Sequence, residues 1–229
     1  MNTLEAYQEG KVLLIDKPLE WTSFQVVNKV RWLIKRHFDI KKIKVGHAGT
    51  LDPLATGLLI LCVGKFTKKI DTYQAQEKEY TGIFTLGATT PSYDLETEID
   101  QTFDISRITT EMIYEATKQF TGTIQQKPPV FSALKKDGKR LYEFARAGEK
   151  VEVPSRTITI SKFEITHIEL PKVNFRVVCS KGTYIRSLSH DFGKALDNGA
   201  HLSALRRTRI GDFKVEDAVN IEEFERNLS

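Results

Sequence analysis

Leu58 to Val63 is an unbroken apolar run, Leu-Leu-Ile-Leu-Cys-Val. It is far too short to cross a bilayer, which takes about 20 such residues in a helix. A run of this length with no polar face reads as a strand buried on both sides, so the fold must cover it from above and below. Gly10 to Asp16, enclosing Lys-Val-Leu-Leu-Ile, reads the same way. Between the two, Thr22-x-x-Gln25 has capping-box spacing, and Val26, Val30, Leu33 and His37 follow at helical intervals, which predicts an amphipathic helix. Tyr80, Phe84 and Leu86 alternate with Thr81, Ile83 and Thr85, and Val173, Phe175, Val177 and Cys179 with polar or smaller neighbours, as strands do. Between Thr157 and Leu170 the apolar phase shifts from Ile158 and Ile160 to Phe163 and Ile165, which a bulge or a turn between two strands produces. Ile185, Leu188, Phe192 and Leu196 give a helix closed by Asn198-Gly199, Ile113, Ala116 and Phe120 give another, and Asn220-x-x-Glu223 opens a short capped helix near the end. Strands in runs with helices interspersed define an α+β class.

The 229 residues suit one body, and no repeat, low-complexity tract or linker marks a boundary, so a single domain over 1–229 is expected. Hydrophobic residues at 40% and charged residues at 28% are those of a folded globular chain, and 34 Lys and Arg against 30 Asp and Glu permit a polyanionic partner without requiring one. The two cysteines, Cys62 and Cys179, lie in apolar strand-like runs, as buried reduced thiols would. With no basic segment leading into an apolar stretch at the start, a cytoplasmic location is expected. No Gly-x-x-x-x-Gly-Lys-[Ser/Thr] or Gly-x-Gly-x-x-Gly occurs, and the five histidines lack ligand spacing, so neither a cofactor nor a metal is expected.

The most unusual stretch is Lys44-Val-Gly-His-Ala-Gly-Thr-Leu-Asp-Pro-Leu-Ala-Thr-Gly57, three glycines and a proline around one carboxylate. Pro53 disfavours the α region for Asp52, which places Asp52 in an extended loop. On spacing alone it reads more readily as a turn residue than as a catalytic one. Basic residues cluster twice, from Lys29 to Lys44 and at Arg206-Arg207-Thr-Arg209. The first cluster, interleaved with Trp32, His37 and Phe38, fits a phosphate-pairing, base-stacking surface and fits a solvated helix face as well.

Gly49-Thr-Leu-Asp52-Pro-Leu-Ala-Thr-Gly57 resembles the active-site motif of the TruB family of tRNA pseudouridine synthases. It is joined, in the family's order, by Asp16-Lys17-Pro18 with Trp21-Thr22-Ser23, by Tyr80, by Gln126-Lys-Pro-Pro-Val-Phe-Ser-Ala-Leu-Lys135, by Cys179-Ser-Lys-Gly-Thr-Tyr-Ile-Arg186, and by Gly199-Ala-His-Leu-Ser-Ala-Leu-Arg-Arg207. The resemblance covers nearly the whole chain. It implies the pseudouridine synthase fold: a mixed, mainly antiparallel sheet with flanking helices and a central RNA-binding cleft. It implies conversion of uridine 55 in the T loop of tRNA to pseudouridine, with no cofactor, by a monomer that binds the T arm and no membrane. Asp52 takes the place of the catalytic carboxylate, Arg186 that of the arginine paired with it, and Tyr80 that of the tyrosine stacked on the target uracil. His47, Tyr184, Leu205, Lys17, Arg206 and Arg207 fall among the substrate-binding residues, with Arg206, Arg207, Arg209 and the Lys29 to Lys44 cluster expected on backbone phosphates.

Two positions depart from the family pattern. Glu20 stands where the first motif usually has glycine, which implies strain or a different turn, and Thr90-Pro-Ser-Tyr-Asp94 has serine for a second threonine. About 16 residues follow Phe213, fewer than the roughly 40 a domain needs to fold unaided. No PUA domain is therefore expected, only a short helical tail over about 214–229. A tRNA-binding or folding module that does not depend on catalysis is the alternative from another class, and glycosidase-like hydrolysis would need a second carboxylate placed for acid-base work.

Overall fold

The computed structural model describes residues 3–228 except 133, 137 and 150. Ala133 and the Lys135 side chain, both in the 126–135 motif, therefore lie outside the described residues, as do Met1 and Asn2 of the start. The chain forms two compact units, Met1–Tyr80 with Leu205–Ser229 and Thr81–Ala204. Among the described residues no helix is long and apolar enough to cross a membrane.

The first unit opens with α1 (Leu4–Glu9), β1 (Lys11–Lys17) and α2 (Ser23–His37), followed by β2 (Val45–His47) and β3 (Ala55–Val63). A 3₁₀ turn and α3 (Ile70–Ala75) lead to β4 (Lys78–Leu86), which runs on into the second unit. There β5 (Ala88–Thr89) pairs with β6 (Gln101–Thr102), and α4 (Thr110–Lys118), β7 (Gly122–Gln126), β8 (Lys135–Lys136), β9 (Lys139–Arg140) and α5 (Leu141–Arg146) follow. After β10 (Arg156–Glu169), β11 (Lys172–Cys179) and α6 (Ile185–Ala195), β12 (Ala200–Ile210) returns the chain to the first unit, which ends in β13 (Phe213–Lys214) and α7 (Ile221–Leu228).

In the first unit β3 is the central strand. It takes β1 and β2 antiparallel and β12 in parallel, Leu205, Arg206 and Arg207 lying opposite Ala55, Thr56 and Gly57. Its alternation is complete. Leu59, Leu61 and Val63 enter a core with Val26, Val30 and Ile34 of α2 and Phe224 and Leu228 of α7, whereas Leu58, Ile60 and Cys62 enter a second core with Ile210 and Val215. Both faces are covered, as the apolar run requires. The same reading of β1 holds in part: Leu13 packs on the first core and Val12 and Leu14 on the second, but only Ile15 and Lys17 are fully buried, because β1 has β3 on one side and, on the other, no more than a bridge from Ile15 to Val219.

The parallel pairing needs Gly57. A Cβ there would sit 2.3 Å from the Arg207 carbonyl oxygen, and its φ of +102° is one that side-chain-bearing residues resist. Helix α2 starts at the capping box of Thr22 and Gln25 and stops where Asp39 turns left-handed, with the Ile40 N–H donating to Lys35 O at 3.1 Å. Helix α7 is capped by the reciprocal bonds of Asn220 and Glu223, as their spacing predicts.

In the second unit β11 lies between β4 and β10, and β10 pairs antiparallel with β11 and β7. The phase shift along β10 is two irregularities within one strand, after Ile160 and after Ile165. Phe84 stacks on Phe175 at 4.1 Å and meets Phe192 of α6 at 5.5 Å, which builds the core of this unit. Helix α6 is closed one residue earlier than its sequence suggests. Asp197 adopts φ +50°, and the Asn198 N–H returns to Gly193 O at 2.9 Å. The Asn198 side chain instead links the Gly87 N–H (3.1 Å) to Asp104 O (2.9 Å).

Glu20 has φ +65°, so the turn is kept and the side chain carries the strain. A left-handed non-glycine residue costs about 1–2 kcal/mol, partly offset by the entropy glycine loses on folding. Glu20→Gly is therefore expected to stabilise the protein by about 0.5–1 kcal/mol, read as a rise of a few degrees in Tm by calorimetry. A fall in Tm would mean that the Glu20 side chain contributes more than its backbone costs.

Candidate active site

Asp52 lies in the loop from β2 to β3, outside any helix, followed by a turn in which the Ala55 N–H donates to Asp52 O at 3.1 Å. The loop is held on both sides of it. Ser23, buried in the first turn of α2, accepts from the Leu51 N–H (2.8 Å) and donates to Leu51 O (3.0 Å) through the same hydroxyl. Pro53 O accepts from the Glu20 N–H at 2.8 Å and from Lys17 Nζ at 3.4 Å. The first motif is thus the clamp of the second.

Two buried cations complete it. Lys17 is 0% exposed, and its ammonium also donates to Trp21 O (2.5 Å) and Pro18 O (2.8 Å). Arg207 is 1% exposed and spreads its guanidinium over Leu58 O (2.8 Å), Gly49 O (3.0 Å) and Thr50 O (3.4 Å). Burial lowers the Lys17 pKa from 10.5 to about 8, with the Asp52 carboxylate opposing the fall and Arg207 adding to it. Between pH 8 and 10.5 the unfolded chain holds this proton and the folded one does not, so stability rises with pH across that window. Relative to Lys17→Met, the wild type is expected to gain up to about 3 kcal/mol from pH 8 to 10.5 in urea titrations. A flat difference would mean that the folded protein keeps Lys17 protonated across this window, as a solvated ammonium would be.

His47, at the end of β2, has its pKa lowered by burial and by Arg207, against a backbone hydrogen bond at Gly49, so it is neutral at pH 7. Tyr80 on β4 is buried. Leu205, opposite Ala55, is half-buried. Arg206 leaves β12 on the face opposite Arg207 and forks onto Asp16 at 2.7 and 3.0 Å, and Arg209 pairs with Glu77 at 3.2 Å and donates to Gly211 O. All three arginines expected on phosphates have partners inside the protein.

In the second unit Tyr184 caps α6. Its backbone is gripped by the buried Gln126 amide, which accepts from the Tyr184 N–H (2.8 Å) and donates to Tyr184 O (3.1 Å). Arg156 lies 5.6 Å over the Tyr184 ring. Arg186, 5% exposed, donates to Phe131 O at 2.7 Å and Ser92 O at 3.5 Å and stands 3.6 Å from the Asp94 carboxylate. The buried Asp94 was not among the residues expected at the site, although it closes the Thr90-Pro-Ser-Tyr-Asp94 pattern. Ser23 and Gln126 were missed because their work is to hold backbone, which motif spacing does not display.

The structure therefore gathers Asp52, Lys17, His47, Leu205, Arg206 and Arg207 in one unit, and Tyr184 and Arg186 with Asp94 and Gln126 in the other. Residues 35–185 match the TruB family pseudouridylate synthase N-terminal domain, and residues 186–229 match the tRNA pseudouridylate synthase B C-terminal domain. The protein is thus an enzyme of the pseudouridylate synthase class. More narrowly, it belongs to the TruB family. It is 64% identical to the tRNA pseudouridine synthase B of Flavobacterium johnsoniae over 99% of both chains. It is 56% identical to that of Phocaeicola vulgatus over 95% of this chain and 93% of the other. Among solved structures it resembles a chain of a Cbf5-Nop10-Gar1 complex with a TM-score of 0.71 and 33% identity, and one of an H/ACA RNP bound to a substrate RNA containing 2'-deoxyuridine with 0.70 and 30%. It covers 96% and 98% of itself in these matches but spans only 54% and 55% of the two longer chains.

Proposed function

We propose that this enzyme converts uridine 55 in the T loop of tRNA to pseudouridine, acting as a monomer in the cytoplasm, with Asp52 as its essential carboxylate. In that reaction the C1′–N1 bond breaks, the uracil rotates, a C1′–C5 bond forms, the C5 hydrogen leaves and N1 gains a proton. A carboxylate serves it either by adding covalently or by taking the C2′ proton. Tyr80 and Arg186 are its partners in the reaction, and His47, Tyr184 and Leu205 receive the flipped nucleotide and its loop. Lys17 and Arg207 act on the Asp52 loop by holding its carbonyls.

The observation that carries this reading is the clamp. Leu51 and Pro53 are both bonded to the first motif, so the only residue between them is presented on a fixed backbone. A turn residue would not need that many ties. The test is tritium release from a tRNA transcript bearing C5-tritiated uridine, because isomerisation expels that hydrogen and binding does not. Release that disappears when the T-loop uridine is replaced is the expected result. Tight tRNA binding with no release would overturn it.

A further inference from the structure

The positive charge of this chain is concentrated in one place. Residues 21–51 carry seven Lys and Arg against a single acid, Asp39, a local +6 in a chain whose total is +4, so the remainder is net negative. Elsewhere several cations stand beside carboxylates, Lys65 with Glu9, Lys118 with Glu115, Arg176 with Glu164, Arg206 with Asp16 and Arg209 with Glu77, and no other stretch of this length holds so many cations with so few acids. In this window Arg31 alone is taken up, by Asn28 Oδ1 (2.8 Å) and Val45 O (2.9 Å). Lys29, Lys35, Arg36, Lys41, Lys42 and Lys44 have no carboxylate within ion-pair distance among the described residues.

At its centre Trp32 is 48% exposed on α2, with Lys29 Nζ 4.7 Å and Arg36 Cζ 5.2 Å from its ring centroid. Each such contact is worth about 0.5–1 kcal/mol at an exposed site, enough to restrain a long side chain without consuming its hydrogen-bond donors. A solvated face does not need an exposed indole, nor does it need acids to be absent. A phosphate-binding face gains from both, because its cations arrive already ordered and unopposed.

We propose that the exposed face of α2, organised by Lys29, Trp32 and Arg36, is a docking surface for the sugar-phosphate backbone of the RNA substrate, outside the nucleotides that react. This rests on tRNA being the substrate. It also narrows the electrostatic docking from both basic clusters to this one face, since Arg206, Arg207 and Arg209 are engaged within the protein.

The experiment measures tRNA affinity at several KCl concentrations alongside tritium release. Each phosphate contact contributes about 0.7–0.9 to the slope of log K against log salt. Lys29→Gln/Arg36→Gln is expected to reduce that slope by about 1.4–1.8 and to weaken binding at least tenfold at 0.1 M salt. Single-turnover release at saturating tRNA should stay within twofold of wild type. Trp32→Leu, which keeps both charges, should weaken binding less and leave the slope in place. An unchanged slope and affinity in the double variant, with wild type still active, would overturn the docking face alone. So would unchanged tRNA binding accompanied by lost sedimentation on phosphatidylserine vesicles. A wild type that neither binds tRNA nor releases tritium would overturn the substrate reading itself, and the choice of ligand with it.

Discussion

Asp52→Asn is expected to lower tritium release at saturating tRNA by at least about 10⁴-fold, with tRNA affinity changed by less than about threefold. Loss of a general base alone removes about 10²–10⁴ in rate, and loss of a nucleophile more. An amide is nearly isosteric with the carboxylate but neither forms a stable adduct with C1′ nor takes the C2′ proton. The loop should keep its course, because the ties at Leu51 and Pro53 are made by backbone atoms and survive the substitution. One electrostatic consequence is distinctive. The Asp52 carboxylate raises the Lys17 pKa against the effect of burial, so its removal should carry Lys17 below about 8. Residual release above about 1% of wild type would return Asp52 to the role of a turn residue.

How far the sequence discloses this arrangement depends on whether the physics is local. The run Leu58 to Val63 announces a strand covered twice because alternation has nowhere to put a polar face, and the two cores built on alternate residues of β3 confirm it. Lys11 to Ile15 carries the same signal and delivers it only in part: Leu13 packs on one of these cores and Val12 and Leu14 on the other, yet all three stay half-buried on a strand with no neighbour along most of its outer edge. Thr22 and Gln25 cap a helix three residues apart and are legible. Ser23 beside them reaches Leu51, 28 residues on, and nothing local records that bond.

The end of α6 shows the same limit at shorter range. Asn198-Gly199 looks like a helix stop, yet Asp197 takes the left-handed position while Asn198 is drawn to Gly87 and Asp104 in other segments. The motif around Asp52 was legible because its residue types are few and fixed. The roles of Arg206 and Arg207 were not, because sequence displays charge and hides partners. Only their strand alternation hints that two adjacent arginines must part company.

Arg207 is where that distinction has the largest consequence for stability. Arg207→Met is expected to lower stability by about 3–5 kcal/mol, because the carbonyls of Gly49, Thr50 and Leu58 would lose their shared donor in a buried place. For a chain of this size that corresponds to a fall in Tm of roughly 6–20 °C by calorimetry. Arg207→Lys should recover only part of it, since one ammonium cannot reproduce the fork that meets three oxygens. Arg206→Gln should move Tm by no more than about 4 °C, because its pair with Asp16 is partly exposed and such pairs are worth about 0–1 kcal/mol. In none of the three should the salt slope of tRNA binding change by as much as one phosphate contact. A stable Arg207→Met whose slope is smaller by about 0.9 would reverse the assignment. The guanidinium would then belong to the RNA, and the Asp52 loop would be held by Ser23, Glu20 and Lys17 alone.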